Sequence, residues 1–438
     1  MLKTTQKEII ERLESIFEKR FVSLLLLFCS VGAIIGSLFF TGGGSFFENS
    51  DLFQDIDLVK IALAANGISP YSELSHFALY PPLYFYLWSI PYKTFVFAFQ
   101  NPSNPEVFFA IRALSTILLA LSAYLIYRNL RVQGFSKNKA ISCGSIFLIC
   151  SLTALLILVG DSFGLFFLAL GCLMFAVRRD IVGLGFVSLA IAFKVHPLVG
   201  ALLLLVALLS VSKTRFARAA ILFSGMMLIF VVIPVLEIPD AWNTFVLLHA
   251  TDVQTYTFNI FAGSMDFLID VFPPASTALI KELIDYVWVG FAVSGALALC
   301  YVVFRSKTLK YARPLDLLAL GGLAWLILLK QTLPHYFLWA LIPLLSAGRL
   351  RSTFYLLGGE LGGVSLFGLA HAFSTGFFSY SINYSQVPSF YSAISFLAGG
   401  IVFFVFDLLA MRQLVLDIRN EKAQAIAVEE ETPSAARM

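Results

Sequence analysis

Long apolar runs separated by short basic clusters dominate this chain, and they leave it few folds. Hydrocarbon satisfies no backbone polar group, so an apolar run of about 18 residues or more survives there only as a helix that bonds internally. Such runs fall near 21–41, 107–127, 140–160, 217–236, 286–304, 353–373 and 389–411, with shorter ones near 161–177, 181–195, 197–211, 314–332 and 336–348. Only 13% of the 438 residues are charged against 59% hydrophobic, with a mean hydropathy of +0.86. That is too little charge to coat a soluble surface. The expected fold is all-α: a polytopic transmembrane bundle of about 12 membrane helices.

The short runs are read as hairpins. Arg178 and Arg179 precede 181–211, and Lys213, Arg215 and Arg218 follow it. A single crossing would separate these clusters, whereas a hairpin broken near Pro197 keeps both on the cytoplasmic side. The same reasoning folds 314–348 back on itself around Pro334, between Arg313 and the pair Arg349 and Arg351. Both termini are then cytoplasmic. The basic residues left on or near the other face are Lys60, Lys93, Arg112, Lys194, Lys281 and Lys330, a clear positive-inside bias. The expected localisation is an integral, multi-pass membrane protein, in the plasma membrane of a prokaryote or the endoplasmic reticulum of a eukaryote. The first apolar run follows a head carrying Glu8, Glu11, Glu14 and Glu18, unlike the short basic head of a signal peptide, so it reads as an uncleaved span.

The expected organisation is a cytoplasmic amphipathic head over 1–20, a membrane module over 21–211 with an external loop at 42–106, a second module over 212–411 with an external loop at 237–285, and a tail over 412–438. The tail is polar and acidic (Glu429, Glu430, Glu431) and is expected to be disordered. Residues 82–99 are apolar but interrupted by Pro91 and Lys93, and read as an interfacial helix rather than a span. The five cysteines lie in apolar runs without CxxC spacing and read as small core hydrophobes. No P-loop, GxSxG or HExxH motif is present, and the net charge of +3 includes no basic block suited to nucleic acid. No cofactor is expected; a divalent metal is compatible with the sequence but not indicated by it.

Polar chemistry gathers on the external side, where all five histidines (His76, His196, His249, His335, His371) are expected. Asp51 can cap a helix that Asn66 and Gly67 end, with Leu52, Ile56, Val59 and Leu63 on one face. Asp51 and Asp55 border that face and Asp57 points away from it. A carboxylate held there could serve as a general base on a sugar hydroxyl; helix capping and solvation are the plainer roles. The prolines of Gly67-Ile-Ser-Pro-Tyr71 and Tyr80-Pro-Pro-Leu-Tyr84 make a rigid aromatic corner. Lys194-Val-His196-Pro197 tops the first hairpin, and Lys330-Gln-Thr-Leu-Pro334-His335 tops the second. A cation at such depth needs an anion, for which a lipid phosphate is one candidate, or it snorkels to the interface. Arg112 opens its span on the same side. Asp161 opens the next but one and reads as a polar interface residue, and Glu360 in Gly-Gly-Glu-Leu-Gly-Gly sits mid-span without a partner in the sequence.

Taken in order, four stretches resemble the GT-C superfamily of membrane glycosyltransferases. They are Ser50-Asp51-Leu-Phe-Gln-Asp55-Ile-Asp57, the Gly67 to Tyr71 and Tyr80 to Leu83 corner, Gly160 to Gly164 with Ala192-Phe-Lys194-Val-His-Pro197, and Lys330 to Pro343. The nearest likenesses are to the family 87 mannosyltransferases and to GPI mannosyltransferase I. The resemblance implies a GT-C fold, with 21–211 as its catalytic module, and inverting transfer of a hexose, mannose first, from a polyprenyl- or dolichyl-phosphate carrier. The acceptor would be a glycan, a glycolipid or a protein at the external face. It implies Asp51 or Asp55 as base. The family usually has an aromatic four residues after its aspartate, where this chain has Asp55, and the choice stays open. Lys194, Lys330 and Arg112 would hold phosphate; Tyr71, Tyr80, His196, His335 and Asp57 would contact substrate. Two other classes remain: a transporter or flippase of lipid-linked glycans, and a structural subunit of a membrane assembly.

Overall fold

A computed structural model describes residues 19–32, 61–67, 82–99, 104–157, 161–236, 277–329, 336–375 and 390–431. All regular structure among them is helical. Helical residues 19–32 form α1 and 61–65 form α2. There follow α3 (Pro82–Phe99), α4 (Asn104–Val132), α5 (Lys137–Ile157), α6 (Ser162–Ala176), α7 (Asp180–Phe193), α8 (Leu198–Val211) and α9 (Lys213–Met227). A π-helical turn, Leu228–Val232, and a last turn, Ile233–Leu236, extend α9. The second half holds α10 (Thr277–Arg305), α11 (Pro314–Leu328), α12 (Phe337–Ser346), α13 (Leu350–Thr375) and α14 (Phe390–Glu431).

Three stretches are long and apolar enough to cross a membrane: Ala113–Val132, Lys213–Val232 and Tyr286–Arg305. Helices α6, α7, α8, α11 and α12 are apolar but shorter. On α10, Val289, Val293, Leu297, Val302 and Phe304 are all exposed. So continuous an apolar surface on a lone helix belongs in hydrocarbon or under another apolar surface.

The expected hairpins form. Helix α7 ends where Lys194 turns extended (φ −155°, ψ 131°), and Pro197 caps α8. Proline disfavours helical backbone at His196 and has no N–H to offer the helix, so the chain breaks there. Helices α11 and α12 form the second pair. The two hairpins cross where a Cβ on Gly321 would stand 2.1 Å from the Gly200 Cα. Only backbone against backbone fits at that crossing. Gly321→Ala is expected to cost about 1–3 kcal/mol through overpacking. Gly185→Ala, which would meet only Leu222 at 3.8 Å, should be neutral or stabilise slightly. Unfolding midpoints in detergent compare the two, and equal midpoints would rule out the tight crossing.

The opposite end collects the basic clusters. There Arg349 bonds Asp316 through Nε (2.8 Å) and Nη2 (3.0 Å), and Glu421 through Nη1 (2.5 Å) and Nη2 (2.8 Å). Arg313 also bonds Asp316 at 2.9 Å, and Gln133 donates to the Ser346 carbonyl at 2.7 Å. Burial opposes the Arg349 charge, but the two carboxylates outweigh it and raise its pKa.

Two expectations are corrected. The tail from 412 is helical as far as Glu431, continuing α14. Phe403, Ala410, Leu414 and Ile418 bury one stripe of that helix, and Glu421 and Lys422 tie it to Arg349 and to the Lys307 carbonyl. Of the expected face, Leu63 alone lies among the described residues, half-buried beside buried Ile61 and Ala64. The stop at Asn66 and Gly67 is as read: Asn66 N–H reaches Ala62 O at 3.1 Å and Gly67 has φ +74°. Finally, α9 begins at Lys213 rather than 217, because Ser212 caps it by accepting from the Arg215 N–H.

Candidate functional site

The turn from Lys194 to Pro197, the C-terminal part of α11, the start of α12 and the start of α6 meet in a polar cluster. Asp161 stands at the N-cap of α6 but makes no side-chain cap bond. Its carboxylate instead accepts from Lys194 Nζ at 2.8 Å and 2.9 Å and from Trp339 Nε1 at 3.0 Å. Lys194 and Asp161 are only 6% and 5% exposed, so this is a fully desolvated ion pair. Such a pair endures only with close geometry and further hydrogen bonds, and the indole N–H supplies one. Trp339 reaches that far because residue 164 lacks a side chain: a Cβ on Gly164 would lie 2.4 Å from the indole. The Lys194 ammonium also sits 4.4 Å from the centre of the Tyr336 ring, a cation–π contact that strengthens in low dielectric.

His196 completes the cluster. Trp325 Nε1 donates to its Nδ1 at 2.7 Å. An indole N–H can only donate, so Nδ1 carries no proton and the neutral ring bears its proton on Nε2. Tyr336 packs 4.3 Å from this ring and Trp339 5.3 Å. Beside the cluster, Ser162 donates to Ser115 of α4 at 3.1 Å. Helix α3 lays Trp88 on Phe163 (4.8 Å) and Tyr84 on Phe193 (5.1 Å), so its aromatic face covers this end of α6 and α7.

This arrangement offers a fixed dipole from Lys194 to Asp161, an imidazole of set tautomer, and aromatic rings packed around both. Helices of 14 residues (α7, α8) and 10 residues (α12) are about 15–21 Å long at 1.5 Å per residue. That is shorter than a full span of about 30 Å. Among the described residues, no three His, Cys, Asp or Glu side chains stand together as metal ligands.

Of the residues expected to form the site, Lys194 and His196 are brought together. Arg112 lies on α4, one turn before Ser115. Asp51, Asp55, Asp57, Tyr71, Tyr80, Lys330 and His335 lie outside the described residues. The anion beside Lys194 is Asp161, read from the sequence as an interface residue only. A lone acid and a lone base expected at the same end of neighbouring helices were the available signal. Trp325 and Trp339 carried none, since their partners are set by how the two hairpins cross. No family model matches the chain, and no curated protein matches it.

Proposed function

We propose that this chain is a membrane glycosyltransferase that takes a hexose, mannose first among the candidates, from a polyprenyl- or dolichyl-phosphate carrier. In this reading about 12 membrane helices place both termini in the cytoplasm and the polar cluster toward the outer or lumenal face. The supporting observation is the convergence of two short-helix hairpins on a buried Lys194–Asp161 pair ringed by His196, Trp325, Tyr336 and Trp339. A lipid-linked substrate can enter a recess at that depth from the side. The order of the four GT-C-like stretches supports the same reading.

The chemistry is an inverting displacement. Asp51 or Asp55 takes the proton of the acceptor hydroxyl, its oxygen attacks the anomeric carbon, and the bond to the phosphate oxygen breaks, with lipid phosphate leaving with the electron pair. The leaving group is already good, so position and charge carry most of the catalysis. Lys330, Arg112 and Lys194 hold the phosphate. Because Lys194 is bound to Asp161, it reaches the phosphate by dividing its donors between the two anions. Tyr71, Tyr80, His196, His335 and Asp57 contact sugar or acceptor.

The test is release of polyprenyl phosphate from polyprenyl-phosphate-mannose by purified protein. Removing a general base typically lowers the rate about 10²–10⁴-fold. One of Asp51→Asn and Asp55→Asn is expected to show that loss while still binding donor. No turnover with mannose, glucose or arabinose carriers across a panel of acceptors would move the assignment to a transporter of lipid-linked glycans. One observation favours that second reading: Glu360 and Asp407, on α13 and α14, are both buried in the apolar part of the bundle.

A further inference from the structure

The Glu360–Asp407 pair is used by none of the glycosyl-transfer chemistry, and its surroundings are unusual. Asp407 is 0% exposed and lies on the buried stripe of α14 between Phe403 and Ala410. Neither of its carboxyl oxygens has a hydrogen-bond partner among the described residues. Glu360, also buried, lies on the neighbouring helix α13 within electrostatic reach. The glycines around Glu360 explain the closeness: a Cβ on Gly359 would lie 2.7 Å from the Phe406 Cβ, and one on Gly362 2.9 Å from Val402. Small residues at this spacing let two membrane helices approach backbone to backbone. Glu360 follows Arg349 by about 16 Å of helix and Asp407 precedes Glu421 by about 21 Å, at 1.5 Å per residue. Both carboxyls are therefore deep in the bundle, far from the basic end.

Few other charges face them. Cys150 of α5 is within electrostatic reach of Glu360. Helix α12 has no ionisable side chain. Asp316 of α11 is engaged by Arg313 and Arg349 at the far end. Arg349, just before α13, and Arg351 and Arg412, on α13 and α14, lie toward the basic end, and His371 is about three turns beyond Glu360. Two carboxylates buried this close, one of them with no donor among the described residues, are very costly to keep both charged.

We propose that Glu360 and Asp407 together form an intramembrane site for one monovalent cation, a proton or an alkali ion. The bound cation removes one negative charge from between α13 and α14 and permits their close packing. This site is independent of glycosyl transfer and survives failure of that assignment.

The test is infrared spectroscopy of the purified full-length protein in lipid nanodiscs at neutral pH. Wild type minus E360Q/D407N isolates the two carboxyls, and the single variants E360Q and D407N serve if the double variant does not fold. A protonated-carboxyl carbonyl band in choline medium, lost in the variants, identifies a proton. Carboxylate bands that shift when sodium replaces choline identify an alkali ion. Carboxylate bands alone, the same in sodium and in choline, would show both groups ionised without a cation and overturn the proposal.

Discussion

Asp161→Asn destabilises the folded protein by about 3–5 kcal/mol, because it leaves the Lys194 ammonium buried without its anion. Lys194→Met does the same in reverse. The double variant K194M/D161N recovers most of the loss, since a buried ion pair contributes little more than a neutral pair of similar shape once its desolvation is counted. Unfolding midpoints of the four proteins in one detergent form a cycle, and the coupling between the two positions should account for most of each single loss. Turnover separates structure from chemistry. If the pair serves substrate, the double variant is folded and inactive. If it only braces the hairpins, the double variant is folded and active. Single variants that melt with the wild type would mean that the pair is solvated.

A comparable loss is expected at the other end of the bundle. Arg349 is 5% exposed and joins α11 to α14 by bonding Asp316 and Glu421. Arg349→Met strands a buried carboxylate, and about 3–5 kcal/mol is the usual consequence. Arg313, itself 37% exposed at its side chain, still bonds Asp316 and places the loss nearer the lower figure. Glu421 is 55% exposed at its side chain, so Glu421→Gln should cost about 1 kcal/mol or less. Limited proteolysis gives a second readout: Arg349→Met should expose the α14 extension beyond Ile418, whereas Glu421→Gln should barely do so. Equal protection in both variants would count against Arg349 as the tie.

Much of the helical framework was legible in the residue order. Apolar run length and the basic clusters located most helices to within a few residues, although α10 begins at Thr277, inside the segment 237–285 read as an external loop, and Pro197, Asn66 and Gly67 marked breaks that the chain makes. These are local effects: backbone hydrogen bonding, missing donors and glycine's positive φ act over neighbouring residues. The tail was misread for the converse reason. Its polar composition suggests disorder, but the stripe of Ala410, Leu414 and Ile418 finds a distant partner surface and the helix continues.

The candidate site divides in the same way. By itself the sequence determined that Lys194 and His196 flank the break at Pro197 and that a lysine there either takes an anion or snorkels to the interface. It could not say which anion, because Asp161 is 33 positions away and its approach depends on how α6 packs on α7. Only the tertiary structure decided that Trp339 crosses Gly164 to reach that carboxylate, that Trp325 sets the His196 tautomer, and that α13 and α14 pack closely beside the buried Glu360 and Asp407. Each of those contacts follows from helices meeting at glycines, and the distance between two helix surfaces is a property of the packed bundle rather than of either helix's own residues.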